Sequence, residues 1–135
     1  MNIAIIFAGG TGQRMNLTTK PKQFLKLHGK PILVYTLEQF QQHEEVDAII
    51  LVSIASWIDY CKTLIDTYHI DKVVSIVSGG NTGQESIYNG LKKANELYSE
   101  DSIVLIHDGV RPLIDRNTIS NAIICVKENG SLPMH

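Results

Sequence analysis

Ile3-Ala4-Ile5-Ile6-Phe7-Ala8-Gly9-Gly10-Thr11-Gly12-Gln13-Arg14 opens the chain with an unbroken apolar run that turns at once into a glycine loop. A strand with one wet face alternates polar and apolar residues, so a continuous β-branched run reads as a strand covered on both faces. The same pattern returns at Ala48 to Val52, Val73 to Val77 and Ile103 to Ile106. Helical spacing fills the intervals, at Ile32 to Phe40, Trp57 to Tyr68 and Gln84 to Tyr98, and again at Asn117 to Val126 after the last run. Strand and helix in alternation predict an α/β fold, a doubly wound and mostly parallel sheet.

The chain of 135 residues, 44% of them hydrophobic, has the size and core content of one domain. Its formal net charge of -2 supplies no general basic field, so a polyanion must be held by a local site, and long nucleic acid is not expected as a partner. Cys61 and Cys125 lie far apart in apolar surroundings without metal-ligand spacing, which reads as two buried reduced thiols. The opening run lacks a basic leader and is too short to be a signal core or a membrane span, so a soluble, cytoplasmic protein is expected.

In such sheets ligands bind beyond the carboxyl ends of the strands. The run after Phe7 brings Gly9, Gly10 and Gly12, which let backbone amides approach a phosphate chain closely; a tight packing turn is the structural alternative. Met15 stands where a dinucleotide fingerprint has its third glycine, no P-loop ending follows, and no acidic ribose ligand follows the second strand. Hydride transfer and P-loop hydrolysis therefore lose ground. Arg14 and Lys22 share this segment and suit neutralisation of an α-phosphate and a pyrophosphate leaving group, against the alternative of solvated surface cations.

After Val77 comes Ser78-Gly79-Gly80-Asn81-Thr82-Gly83-Gln84-Glu85-Ser86, which offers a base or ribose its backbone groups and a hydroxyl, or is an ordinary strand-to-helix turn. After Ile106 comes His107-Asp108-Gly109-Val110-Arg111-Pro112. Asp108 suits Mg²⁺, which takes oxygen ligands from one or two carboxylates plus phosphates. Arg111 fits either a substrate contact or an ion pair with Asp108 or Asp115. His107 reads as a packed strand-end histidine, since a phosphate nucleophile needs no general base at neutral pH.

Taken in order, Ala8-Gly9-Gly10-Thr11-Gly12-Gln13-Arg14-Met15, Pro21-Lys22-Gln23-Phe24, Gly79-Gly80 with Glu85-Ser86-Ile87, and His107-Asp108-Gly109-Val110-Arg111-Pro112 resemble the methylerythritol-phosphate and ribitol-5-phosphate cytidylyltransferases. The resemblance spans residues 1–130, the N-terminal part of that family's catalytic domain, and implies a Rossmann-like nucleotidyltransferase fold. It implies that Ala8, Gly9, Gly10, Thr11 and Gly12 bind the CTP phosphates and that Arg14 and Lys22 stabilise the transition state. Gly80, Asn81 and Ser86 would contact the cytidine, and Asp108 would hold Mg²⁺. The implied reaction moves CMP from CTP onto a polyol phosphate, and the Ala8-Gly9-Gly10 opening with Phe24 leans toward ribitol 5-phosphate over 2-C-methyl-D-erythritol 4-phosphate. The full-length family is homodimeric through an arm that lies later in the chain.

Two departures from the family shape the expectation for this chain. Gly83 replaces an arginine that many relatives carry, so the second loop brings no cation there. Residues 131–135 do not resemble the family's continuation, and the later Asp-Thr strand, the dimerising arm and a Lys-containing segment have no counterpart, which reads as a C-terminal truncation with impaired turnover. A non-catalytic remnant of the same fold is the alternative expectation.

Overall fold

The computed structural model describes residues 2–8, 26–27, 29–80, 82–98 and 103–108. Strand β1 (Asn2–Ala8) leads to a small antiparallel hairpin of β2 (Lys26–Leu27) and β3 (Lys30–Pro31), then to helix α1 (Ile32–Gln42). Strand β4 (Ala48–Ser53), a 3-10 turn (Ala55–Trp57) and α2 (Ile58–Tyr68) follow, then β5 (Val73–Ser78), α3 (Gly83–Leu97) and β6 (Ile103–Asp108). The four long strands make one parallel sheet in the order β5-β4-β1-β6. The hairpin is absent from the sequence reading because two-residue strands carry no periodicity. The helix expected at Asn117 to Val126, the tail at 131–135 and Cys125 lie outside the described residues.

Alternation along β1 divides the core in two. Ala4, Ile6 and Ala8 point to one face, against Leu33, Val34, Leu37 and Phe40 of α1 and Cys61 and Leu64 of α2. Ile3 and Ile5 point to the other face, with Ile50, Val52 and Ala94 of α3. That is the double winding expected from the sequence.

Burial on both faces holds fully for β4, where every residue is buried, and fails for β5. Strand β5 is one of the two outer strands of the described sheet, and Val74 is 47% exposed. An apolar run reports β propensity as well as burial, so the sequence pattern of an edge strand can match that of a central one.

Helix α3 lies close to the sheet because Ser86, Gly90 and Ala94, spaced four apart, form its buried row. A Cβ on Gly90 would stand 2.8 Å from Cγ2 of Ile5 and 3.2 Å from Cγ2 of Val52. At the sheet's amino end, Asn2 N donates to Asp47 Oδ2 at 2.8 Å and Asn2 Nδ2 to the Glu45 carbonyl at 2.7 Å. The Lys72 ammonium donates to the His43 carbonyl just past the end of α1 at 2.7 Å, where a cation complements the helix dipole. Burial holds the Lys72 pKa down, with Asp47 acting in the opposite direction.

Candidate functional site

The strand ends align along one rim. Ala8 is in register with Ser53, Ser53 with Ser78, and Phe7 with Asp108. Strand order reverses between β1 and β6, since the chain winds outward through β4 and β5 and then returns to the other side of β1. A crevice opens at such a reversal, outside the carboxyl ends of the two strands. Ala8 and Asp108, which precede the glycine run and the last motif in sequence, end their strands at this reversal.

Ala8 is the last residue of β1, and its side chain is wholly buried in the core beneath α1. Only its backbone can serve a ligand. Asp108 ends β6 beside β1. His107, just before it, is buried with its ring 5.4 Å from that of Phe40 and tilted 53° to it. This is the packed histidine that the sequence suggested. Gly9, Gly10, Thr11, Gly12, Arg14, Lys22, Asn81 and Arg111 lie outside the described residues.

The second loop is built in detail around Ser86. Its fully buried Oγ accepts from Gly80 N at 3.1 Å and donates to the Thr82 carbonyl at 3.1 Å. One hydroxyl thus ties the loop to the first turn of α3. Thr82 caps the helix, its Oγ1 accepting from Glu85 N at 3.1 Å, and Asn89 Nδ2 donates to the Ser78 carbonyl at 3.0 Å. The ladder runs one residue past β5, with Gly79 N donating to the Ser53 carbonyl at 2.8 Å. A Cβ on Gly80 would fall 2.2 Å from Cβ of Glu85, so only glycine fits there.

Sequence reasoning named Gly80 and Ser86 and passed over Thr82 and Asn89. The signal for Thr82 was available in Thr82-Gly83-Gln84-Glu85, the spacing of a capping box. Asn89 has no such local signature, because its partner is on the preceding strand.

On the opposite flank, Cys61 Sγ donates to Ser53 Oγ at 3.5 Å. Burial pushes this thiol up to about 11, and the Ser53 hydrogen bond opposes the rise. It is a protonated core group, not a nucleophile. Among the described residues no cluster of three or more His, Cys, Asp or Glu could hold a metal, and no helix is long and apolar enough to cross a membrane.

The profile of the family described as "IspD: 2-C-methyl-D-erythritol 4-phosphate cytidylyltransferase" matches residues 2–133. The chain belongs to this cytidylyltransferase family. It is 52% identical over 131 residues to a ribitol-5-phosphate cytidylyltransferase of Streptococcus agalactiae serotype Ia, covering 97% of this chain and 55% of that protein. A Vibrio parahaemolyticus protein of the same name is 53% identical over 131 residues, again 97% of this chain and 55% of the relative. A 2-C-methyl-D-erythritol 4-phosphate cytidylyltransferase of Clostridium botulinum is 45% identical over 130 residues, 96% of this chain and 55% of the relative.

Among solved structures, the 4-diphosphocytidyl-2C-methyl-D-erythritol synthase of Anaerococcus prevotii superposes with a TM-score of 0.74 at 28% identity. That match covers 95% of this chain and 51% of the synthase. The parallel sheet with helices on both faces is therefore the cytidylyltransferase fold. The chain spans about half the length of the curated relatives it matches.

Proposed function

We propose that this chain carries the nucleotide half of a cytidylyltransferase that moves CMP from CTP onto ribitol 5-phosphate, giving a CDP-alcohol and pyrophosphate. The observation that supports the acceptor most is the identity of 52–53% to ribitol-5-phosphate enzymes against 45% to a 2-C-methyl-D-erythritol 4-phosphate enzyme. The latter acceptor is the second reading, favoured by the family profile and by the similar solved structure.

In this reading the backbone of Ala8, Gly9, Gly10, Thr11 and Gly12 holds the triphosphate in the crevice at β1. Arg14 and Lys22 neutralise charge on the α-phosphate and the departing pyrophosphate. The cytidine lies toward β5, against the Gly80 and Asn81 loop, two strand spacings or about 10 Å from β1; Ser86, expected from the sequence to touch it, is fully buried and holds that loop through its hydroxyl instead. The acceptor's phosphate oxygen attacks the α-phosphorus in line, a new P–O bond forms, and the bond to the bridging oxygen breaks with its electron pair leaving on pyrophosphate. The attacking oxygen is already ionised at neutral pH, which agrees with His107 being committed to packing and not to proton transfer. Arg111 would meet the acceptor's phosphate.

Asp108 fits Mg²⁺ as a hard oxygen donor ending β6 beside β1, and Mg²⁺ needs no larger protein cluster when phosphates and water complete its shell. Bound there, Mg²⁺ would offset negative charge on the phosphates. CTP and a polyol phosphate are small soluble substrates, and the setting we assign is cytoplasmic, with neither membrane nor nucleic acid as partner.

Because the chain spans 55% of its relatives, we expect these 135 residues to bind CTP with little turnover. Pyrophosphate release from CTP, followed with each polyol phosphate, should be slow and faster with ribitol 5-phosphate. Robust release would overturn the impaired turnover, and faster release with the methylerythritol acceptor would favour the second reading. A melting temperature unmoved by CTP and Mg²⁺ would instead leave a fold that has lost its ligand.

A further inference from the structure

Gly79 and Gly80 follow β5 and open the loop assigned to the cytidine. Paired glycines have wide backbone freedom, so the direction in which they present their amides and carbonyls has to be imposed from outside. The described fold imposes it at three atoms. The peptide joining Ser78 to Gly79 is gripped on both sides. Gly79 N donates to the Ser53 carbonyl of β4 at 2.8 Å, and the Ser78 carbonyl accepts from Asn89 Nδ2 of α3 at 3.0 Å. The next peptide is held by Gly80 N donating to Ser86 Oγ at 3.1 Å.

Ser86 and Asn89 stand three residues apart on α3, which makes them neighbours on one helix face. Their side chains are short. They reach the strand end because Gly90, without a Cβ, lets α3 lie against Ile5 and Val52. The two differ in setting, for Ser86 is fully buried, whereas Asn89 is half-buried and its bond is open to water. Water can therefore replace the Asn89 amide on the Ser78 carbonyl, which satisfies that oxygen but no longer ties it to the helix.

We propose that Asn89 is a positioning residue for nucleoside binding: it fixes the Ser78-Gly79 peptide to α3, so that the Gly80 backbone meets the cytidine in one orientation. The inference rests on the nucleotide reading above and adds to it a residue that acts through Gly80. A residue serving only the packing of α3 would show its loss in stability and would affect every nucleotide alike.

The test compares wild type, Asn89→Asp and Val46→Ala. Aspartate keeps the shape of asparagine and, ionised, has no hydrogen to donate, so the tie is lost with little change in packing. Val46 is buried at the amino end of the sheet, away from the loop, and its truncation lowers stability alone. Each protein is titrated with CTP and with ATP in the presence of Mg²⁺, and its melting temperature is measured. Asn89→Asp should lose roughly three- to tenfold in CTP affinity, the scale of one hydrogen bond, while its melting temperature stays near wild type. Its ATP affinity should be unchanged. ATP carries the same phosphate charge, so simple repulsion by the new carboxylate would lower both. Val46→Ala should melt lower and keep the wild-type affinity for CTP.

Wild-type CTP affinity in Asn89→Asp would overturn the proposal, as would equal losses for CTP and ATP, or an equal loss of CTP affinity in Val46→Ala. Wild type that binds no CTP would overturn the nucleotide reading itself, and the proposal with it.

Discussion

Ser86 has its hydroxyl hydrogen committed to the Thr82 carbonyl while its oxygen accepts from Gly80 N, and it is completely buried. Replacing it with alanine strands the Gly80 amide, while the Thr82 carbonyl keeps its bond from Ser86 N. Ser86→Ala should cost about 1–3 kcal/mol by thermal or denaturant unfolding, the scale of a backbone donor left unpaired. CTP binding should weaken with it, because Gly80 loses its tether. Cys61 shows the opposite case, a reactive residue type held inert. The native fold keeps its proton above the reference value of 9.0, so this contribution to stability is present below pH 9 and is lost as pH rises through about 11. In a Cys125→Ser background, maleimide labelling of Cys61 at neutral pH should proceed only as fast as the protein unfolds, and rapid labelling of folded protein would contradict the burial. Gly80 and Ser86 were legible as parts of a strand-to-helix loop, but their bonds were not, because a hydroxyl's partners depend on a turn that a sequence names only as a residue class.

Helix α3 owes its distance from the sheet to the row Ser86, Gly90 and Ala94. A glycine inside a helix costs about 1 kcal/mol of propensity relative to alanine, and here the close approach to Ile5 and Val52 requires it. Gly90→Val should therefore destabilise by about 1–3 kcal/mol through overpacking, with a falling melting temperature as the measurement. An unchanged melting temperature would mean that α3 can shift outward freely. The strands and helices of the sheet were legible almost residue for residue, since hydrophobic period distinguishes them. What escaped the reading was the exposure of β5, because Val73 to Val77 has the same composition whether it lies at an edge or in the middle. The β2-β3 hairpin escaped as well, for it is held by Lys30 reaching to Glu38 and Tyr35, which follow it in the chain.

At the scale of the whole molecule, the order β5-β4-β1-β6 brings the ends of β1 and β6 together and sets the β5 loop two strands away. That geometry sets Ala8, Ser78 and Asp108, the ends of three strands from which three of the four motifs begin or continue, along one rim of the sheet. The motifs were visible in the sequence, and so was the alternation that predicts the sheet. The reversal point between β1 and β6 was not, because strand order is a property of the winding and not of any single run. In the proposed reading Arg14 serves the phosphates, and the central claim is that this chain accepts CTP. Calorimetric titration of the 135-residue chain with CTP and Mg²⁺, repeated with ATP and with Arg14→Ala, tests it most directly. CTP-selective binding that Arg14→Ala weakens is the expected result; well-folded protein that takes up no CTP, or takes ATP equally well, would contradict the account.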